Sequence, residues 1–159
     1  MVNYAFISLI VSICFGIAVS GTVSFRDCGS AKAKIVSVSV DPCNETAMCP
    51  LKKGTSPKIS VTFTPNEKVT SVKAVVHGIL PTGIKAPFSL DNDNGCLNCG
   101  LSCPLDMGKK YTYEKSIEIK SYYPDWKVLV EWQLLDQNEA NLVCFIIVTH
   151  IEPASTTNI

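Results

Sequence analysis

The feature that most constrains the fold is an alternation of apolar and polar residues with a period of two. In the segment IVSVSV, for example, Val36, Val38 and Val40 fall on one face and two serines fall on the other. The same alternation recurs in ISVTF, SIEIK, WKVLVEW and LVCFIIVTHI, and VKAVVHGIL is a more continuous apolar run. Because successive side chains of a β-strand point to opposite faces, each segment predicts a strand with a buried face.

Turn-forming clusters separate these segments, among them DPCNET, TPNEK, LPTG, LDNDNG and SYYPD. No segment has a convincing helical period, and a length of 159 residues is typical of one domain. Six or seven short strands joined by turns are typical of an antiparallel β-sandwich. Several large aromatic residues would lie inside it. They fit either a packed core or two sheets parted around an apolar cavity, and periodicity does not separate these alternatives.

The N-terminus predicts a secretory signal. Residues 5–19 form an apolar run, and small residues at its end fit a cleavage site before Gly21. We therefore predict a signal peptide over residues 1–20, a single domain over 21–151 and a flexible tail over 152–159. The mature chain is expected to be soluble and secreted into an oxidising compartment.

The cysteines fit an oxidising compartment. One of the eight would leave with the signal, and the seven that remain are expected mostly to pair. Their spacing suggests two local loops, one between Cys43 and Cys49 and one within CLNCGLSC, while Cys28 and Cys144 would join the ends of the domain. CLNCGLSC also resembles part of a metal site, but no fourth ligand is evident, so we expect no metal. The sequon NET predicts a glycan on Asn44.

Charge and motifs argue against several classes of function. Lys+Arg and Asp+Glu both number 14, and no basic run predicts binding to nucleic acid or to an anionic membrane. The sequence lacks the common nucleophile, phosphate-binding and metalloprotease motifs. His77 and His150 are isolated, and Glu131, on an alternating strand, is predicted to face solvent. We therefore expect no enzymatic activity, no nucleic-acid partner and no cofactor.

Five stretches, taken in order and with the cysteine pattern, resemble the lipid-recognition (ML) family: FRDCGS, KAVVHGIL, APF, SYYP and VLVEWQL. The resemblance extends from about Val23 to His150. It implies an all-β fold, an immunoglobulin-like antiparallel β-sandwich (the ML domain) with an apolar cavity between the sheets for a sterol or another lipid. The disulfides that it implies are Cys28–Cys144, Cys43–Cys49 and Cys96–Cys103. Cys99 is an additional cysteine in a loop that looks one residue longer than in the family.

The resemblance also implies roles for individual residues. Phe88 of APF matches a phenylalanine of the family's sterol pocket, Ile119 stands where the family has a pocket valine, and Tyr123 of SYYP matches a gating tyrosine. The other residues expected to line or border the cavity are Val38, Val40, Pro124, Trp126, Val130, Trp132, Phe145 and Ile147. Trp126 replaces a smaller aliphatic residue of the family, so the shape of the pocket is expected to differ.

The function implied by the resemblance is that of a secreted or lysosomal lipid-binding and transfer protein. It would carry a cholesterol-like sterol between membranes or to a receptor. The alternative is an extracellular lipid-recognition module, innate-immune or chemosensory, for a fatty acid or another apolar ligand. The expected partners are the lipid, a lipid-accepting membrane receptor and, transiently, a membrane, with the protein itself a monomer. A third hypothesis is a packed adhesion domain, which a continuous apolar tunnel behind Phe88 and Tyr123 would contradict.

Overall fold

Two β-sheets lie face to face in the computed structural model, which describes residues 21–44 and 47–155. The predicted signal peptide therefore lies outside the described residues, as does the end of the predicted tail. Nine strands occur within the described part of the chain, more than the six or seven predicted. They are β1 (Phe25–Asp27), β2 (Ala33–Asp41), β3 (Cys49–Lys52), β4 (Lys58–Pro65), β5 (Lys73–Ile79), β6 (Lys85–Phe88), β7 (Tyr111–Ser116), β8 (Lys127–Leu135) and β9 (Asn141–Glu152).

The larger sheet has the order β1-β9-β8-β5-β6, with β3 also paired to β9, and the smaller sheet has the order β2-β4-β7. All of these pairs are antiparallel except β3 with β9, which is parallel. Strand β1 pairs with residues 145–147 of β9 and β3 pairs with residues 149–152. The predicted antiparallel β-sandwich is confirmed, with one parallel pair that the sequence pattern did not predict.

The predicted alternation is confirmed in β4, whose apolar side chains at every second position are fully buried. In β2 the prediction is wrong at Val36, which is 48% exposed, whereas Val38 and Val40 are buried. The register between β2 and β4 shifts between Ile35 and Ser37. Val36 is therefore the extra residue of a β-bulge, which turns its side chain away from the core.

The prediction that Glu131 faces solvent is also wrong, because this residue is only 7% exposed. It alternates with the buried Val130 and Trp132, as predicted, but neighbouring side chains cover it. Its Oε1 atom lies 2.6 Å from Nζ of Lys85 and 3.6 Å from Nδ1 of His77, on β6 and β5 respectively. A covered carboxylate is tolerated when a cation lies beside it, as the Lys85 ammonium does here.

Three disulfides join cysteines within the described residues. They are Cys28–Cys144, Cys43–Cys49 and Cys96–Cys103, the pairs that the resemblance implies. The bridge between Cys28 and Cys144 ties the end of β1 to β9 within the larger sheet. The bridge between Cys43 and Cys49 ties the loop after β2 to the start of β3, and so joins the two sheets. Cys99 has a free thiol and is buried.

The C-terminal part of the chain contacts β3. Strand β9 ends at Glu152, one residue beyond the predicted domain boundary, and Glu152 pairs with Lys52. Nζ of Lys52 also donates a hydrogen bond to Oγ of Ser155 at 3.0 Å. The stretches 21–44 and 47–155 contain no helix with the length and apolar character needed to span a membrane.

Candidate functional site

A small apolar cavity of about 70 Å³ lies between the two sheets, near the end of the sandwich that carries the turn before β8. The larger sheet contributes Val76 of β5 and Val128 and Val130 of β8 to its wall. Ile117 and Ile119, which follow β7, face them from the other side. Because all five side chains are aliphatic and buried, the cavity favours an apolar occupant.

The cavity is smaller than a typical ligand site, which has a volume of about 300–1,000 Å³. The wall has few free groups to which a water molecule could hydrogen-bond. The hydroxyl of Thr149, for example, already donates to the carbonyl of Val128 at 2.8 Å. Small apolar cavities of this kind remain dry. A ligand could therefore enter only if side chains turn aside and the sheets move apart.

Phe88 and Tyr123 form the outer wall of the cavity. Phe88 lies on the edge strand β6 and Tyr123 lies in the turn before β8, and their ring centroids are 6.5 Å apart at an interplanar angle of 66°. Beyond the rings is a surface cleft of about 580 Å³, which shares Phe88, Ile117 and Tyr123 with the cavity. An edge-to-face contact contributes about 0.5–1.5 kcal/mol beyond the apolar area that it buries. Rotation of the two rings would break this contact, expose the area that they cover, and join cleft and cavity.

The backbone around Tyr123 is anchored, although its side chain is half-buried. The N–H of Tyr123 donates to the carbonyl of Lys120 at 3.2 Å, which closes the turn. Lys53 and Asp125 form an ion pair between this turn and the segment after β3. Burial raises the pKa of Tyr123, so its hydroxyl stays neutral at physiological pH. A fixed turn with a neutral aromatic side chain suits a gate that moves by side-chain rotation.

The outer cleft is polar where the inner cavity is apolar. Lys120 pairs with Glu118, whose hydrogen bond raises the pKa of the lysine. Asp91 accepts from Lys115 at 2.7 Å, and Tyr122 is 77% exposed. No group of three His, Cys, Asp or Glu side chains within the described ranges could hold a metal ion. The arrangement can thus contact the polar end of an amphipathic molecule, but it places no metal-ligand set there.

The structure brings four of the sequence-predicted site residues together around the cavity: Phe88, Ile119, Tyr123 and Val130. The others lie elsewhere. Fully buried residues of the core that do not line the cavity are Val38, Val40, Trp132, Phe145 and Ile147. Pro124 and Trp126 are exposed at the turn and do not line it either, with Trp126 43% exposed.

Several wall residues were not among the predicted site residues. Ile117 lies two residues before Ile119, and Val128 lies two residues before Val130. Because side chains two residues apart in an extended segment share a face, the period of two could have indicated both wall residues. Leu51 could not be found this way, because its strand β3 has four residues and lies in a stretch of turn-forming composition. Its position in the wall depends on the parallel pairing with β9.

Comparisons with known proteins agree with this architecture. The family model described as ML domain matches residues 22–151. The chain is 37% identical over 153 residues to NPC intracellular cholesterol transporter 2 homolog a of Drosophila melanogaster, covering 96% of this chain and 100% of that protein. It is 42% identical over 132 residues to NPC intracellular cholesterol transporter 2 of Canis lupus familiaris, covering 83% and 87% respectively.

Solved structures share the fold. A Niemann-Pick type C2 protein from the Japanese carpenter ant superposes with a TM-score of 0.75 at 23% identity, over 81% of this chain and 99% of that one. Chicken MD-1 superposes with a TM-score of 0.54 at 17% identity, over 82% and 96%. The family model spans nearly the whole described chain, and the relatives exceed 35% identity over most of their length. The chain therefore belongs to the ML domain family.

Proposed function

We propose that this protein binds an apolar lipid, preferably a sterol, between its sheets and carries it between membranes or to a receptor. The observation that carries the proposal is the apolar cavity closed from a surface cleft by Phe88 and Tyr123. The relatives that are named cholesterol transporters support a sterol as the ligand. No chemical step is needed for this role, and we infer that the protein is not an enzyme.

Binding would be driven by the removal of apolar surface from water. Each 100 Å² of apolar surface buried contributes about 2.5 kcal/mol. Two free-energy costs oppose binding: the entropy lost when protein and ligand form an ordered complex, and the free energy needed to separate the sheets. The Cys43–Cys49 bridge joins the two sheets at β3, which pairs with β9 on the side of the larger sheet opposite the edge strand β6. Opening is therefore expected to be greatest at the edge where Phe88 lies.

A fatty acid carrier is the second candidate function. One feature of the site favours it: the cavity is narrow, and an acyl chain is slimmer than a sterol ring system. With this second candidate function, the protein would serve as an extracellular recognition module for the lipid.

Secretion is part of the proposal, with the lysosome as an alternative destination. It rests on the predicted signal peptide over residues 1–20 and on the three disulfides, which persist in oxidising compartments. Asn44 is exposed and so accessible to a glycan. Expression in cultured animal cells tests both points: the protein should appear in the medium, and N44Q should remove a glycosidase-sensitive mass shift. Retention of uncleaved protein in cells would contradict secretion.

The central experiment is transfer of a sterol between liposomes. Purified protein should bind dehydroergosterol, a fluorescent sterol, in a saturable manner and should accelerate its movement from donor to acceptor vesicles. Size-exclusion chromatography of the same sample should give a monomer. Binding of hexadecanoic acid without binding of the sterol would favour the second candidate. If neither lipid binds, both candidates are wrong.

A further inference from the structure

A lysine on the strand that carries Phe88 reaches across the neighbouring strand to a covered carboxylate. Lys85 begins β6, the edge strand of the larger sheet, and Glu131 lies on β8. Because β5 lies between these two strands, their backbones are about 10 Å apart. Nζ of Lys85 is nevertheless 2.6 Å from Oε1 of Glu131. The ion pair therefore connects β6 directly to β8.

The ion pair and the gate residue Phe88 lie on opposite faces of the same strand. Glu131 pairs with His77 of β5, and His77 pairs with Pro87 of β6, so the carboxylate lies in the row of residues next to Phe88. Because side chains alternate along a strand, Lys85 and Pro87 point outward, whereas Phe88 points inward and lines the cavity. A displacement of β6 would thus move both ends of this arrangement together.

Strand β6 is the least firmly held strand of the larger sheet. It has four residues and pairs with β5 alone, and Pro87 within it has no N–H to donate. The other two short strands of this sheet are each held by a disulfide, since β1 is followed at once by Cys28 and β3 begins with Cys49. Strand β6 contains no cysteine. The ion pair therefore supplies an attachment to β8 that the backbone of β6 lacks.

The burial of Glu131 makes this ion pair stronger than a pair on an open surface. Its side chain is 10% exposed, so water and salt screen it little. A covered carboxylate that loses its cation is left unpaired, which is costly. Nδ1 of His77 lies 3.6 Å from the same oxygen, beyond hydrogen-bond distance, and does not replace the ammonium of Lys85. Any movement of β6 that separates Lys85 from Glu131 is therefore opposed.

We propose that Lys85 is a positioning residue for the gate: its ion pair with Glu131 holds β6 against β5 and so slows the entry and exit of lipid. The pair lies on the outer face and touches no ligand, so it acts through the position of Phe88. It is present whether the closed site is empty or filled. The rates of entry and exit should therefore depend on the pair, while the affinity should not. The inference rests on the proposed lipid-binding function and applies to a sterol and to a fatty acid alike.

Stopped-flow fluorescence with two lipids, dehydroergosterol and cis-parinaric acid, tests the inference. Protein loaded with either lipid is mixed with excess methyl-β-cyclodextrin, which captures the released lipid, and the loss of energy transfer from the tryptophans gives the exit rate. Equilibrium titrations give the dissociation constants, and thermal unfolding gives the stability. Lys32→Met is the matched control, because Lys32 forms a half-exposed ion pair with Glu67 at 2.9 Å and does not line the cavity.

Lys85→Met should release both lipids roughly tenfold faster, with dissociation constants within about twofold of the wild-type values. Adding Glu131→Gln to the same chain should restore the thermal midpoint, because no unpaired carboxylate remains, but should leave exit fast, because β6 is still unattached to β8. Lys85→Arg should keep exit slow, since a guanidinium also pairs with a carboxylate. Lys32→Met should change neither rate nor affinity.

An exit rate of Lys85→Met equal to that of the wild type would overturn the inference while leaving lipid binding intact. Recovery of slow exit together with stability in the Lys85→Met, Glu131→Gln chain would also overturn it, because the unpaired carboxylate alone would then explain the fast exit. Equal acceleration by Lys32→Met would do the same, since loss of any ion pair would suffice. If wild-type protein binds neither lipid, the inference and the proposed function are both wrong.

Discussion

Truncation of Phe88 to alanine should weaken lipid binding much more than it weakens the fold. The ring is half-buried on an edge strand and closes the cavity against Tyr123. A fully buried aromatic side chain covers 150–250 Å², of which about 100 Å² would face a ligand. At about 25 cal/mol per Å² this amounts to about 2.5 kcal/mol. The dissociation constant should therefore rise roughly 70-fold.

The assay is a fluorescence titration with dehydroergosterol, alongside thermal unfolding of each variant. Phe25→Ala is the matched control, because Phe25 is also half-buried, packs against the core from an edge strand and lies away from the cavity. Both variants should lose about 1–2 kcal/mol of stability, less than a fully buried phenylalanine loses. Only Phe88→Ala should lose affinity.

A dissociation constant for Phe88→Ala within about twofold of the wild-type value would refute the reasoning, provided that the variant remains folded. The ring would then be neither a wall nor a gate of the site. Equal losses of affinity in both phenylalanine variants would also refute it, because general loosening of the sandwich would explain them.

Three further predictions concern stability. Replacing Cys28 and Cys144 by serine should lower the free energy of unfolding in denaturant by about 4–5 kcal/mol, because the bridge spans 116 residues. Lys85→Met should destabilise by about 1–2 kcal/mol by leaving the Glu131 carboxylate without its ammonium, and Glu131→Gln in the same chain should restore most of the loss. Desolvation raises the pKa of Asp27, but backbone hydrogen bonds outweigh it and hold the pKa below its ordinary value of 3.8. The Asp27 carboxylate should therefore contribute a small stabilisation that is present above pH 3.8 and is lost as the pH falls below it. Denaturant unfolding at a series of pH values measures this loss of stability, which should be absent in D27N.

Most of the fold could be predicted because alternation is a local property. Strands β4 and β8 have the buried faces that their sequences indicate, since the period of two places every second side chain in the core. In β9 the predicted inner residues Val143, Phe145 and Ile147 are buried, but the residues between them are buried too. Alternation wrongly predicts that Val36 is buried, because a β-bulge at this residue exposes its side chain, and the bulge arises from the pairing of β2 with β4. It also missed β1, β3 and β6, which have three or four residues each and are strands only because a neighbour pairs with them. The strand predicted at SIEIK is wrong as well, because β7 is Tyr111–Ser116 and both isoleucines follow its end.

The sequence alone was sufficient for the sandwich, for its family and for the wall residues Phe88, Ile119, Tyr123 and Val130. These follow from local patterns and from motifs that lie within short segments. The tertiary structure was needed to reveal how large the cavity is, that two rings close it, and that Glu131 is covered. Each of these properties depends on side chains from different strands, whose separation and packing are set only when the two sheets come together.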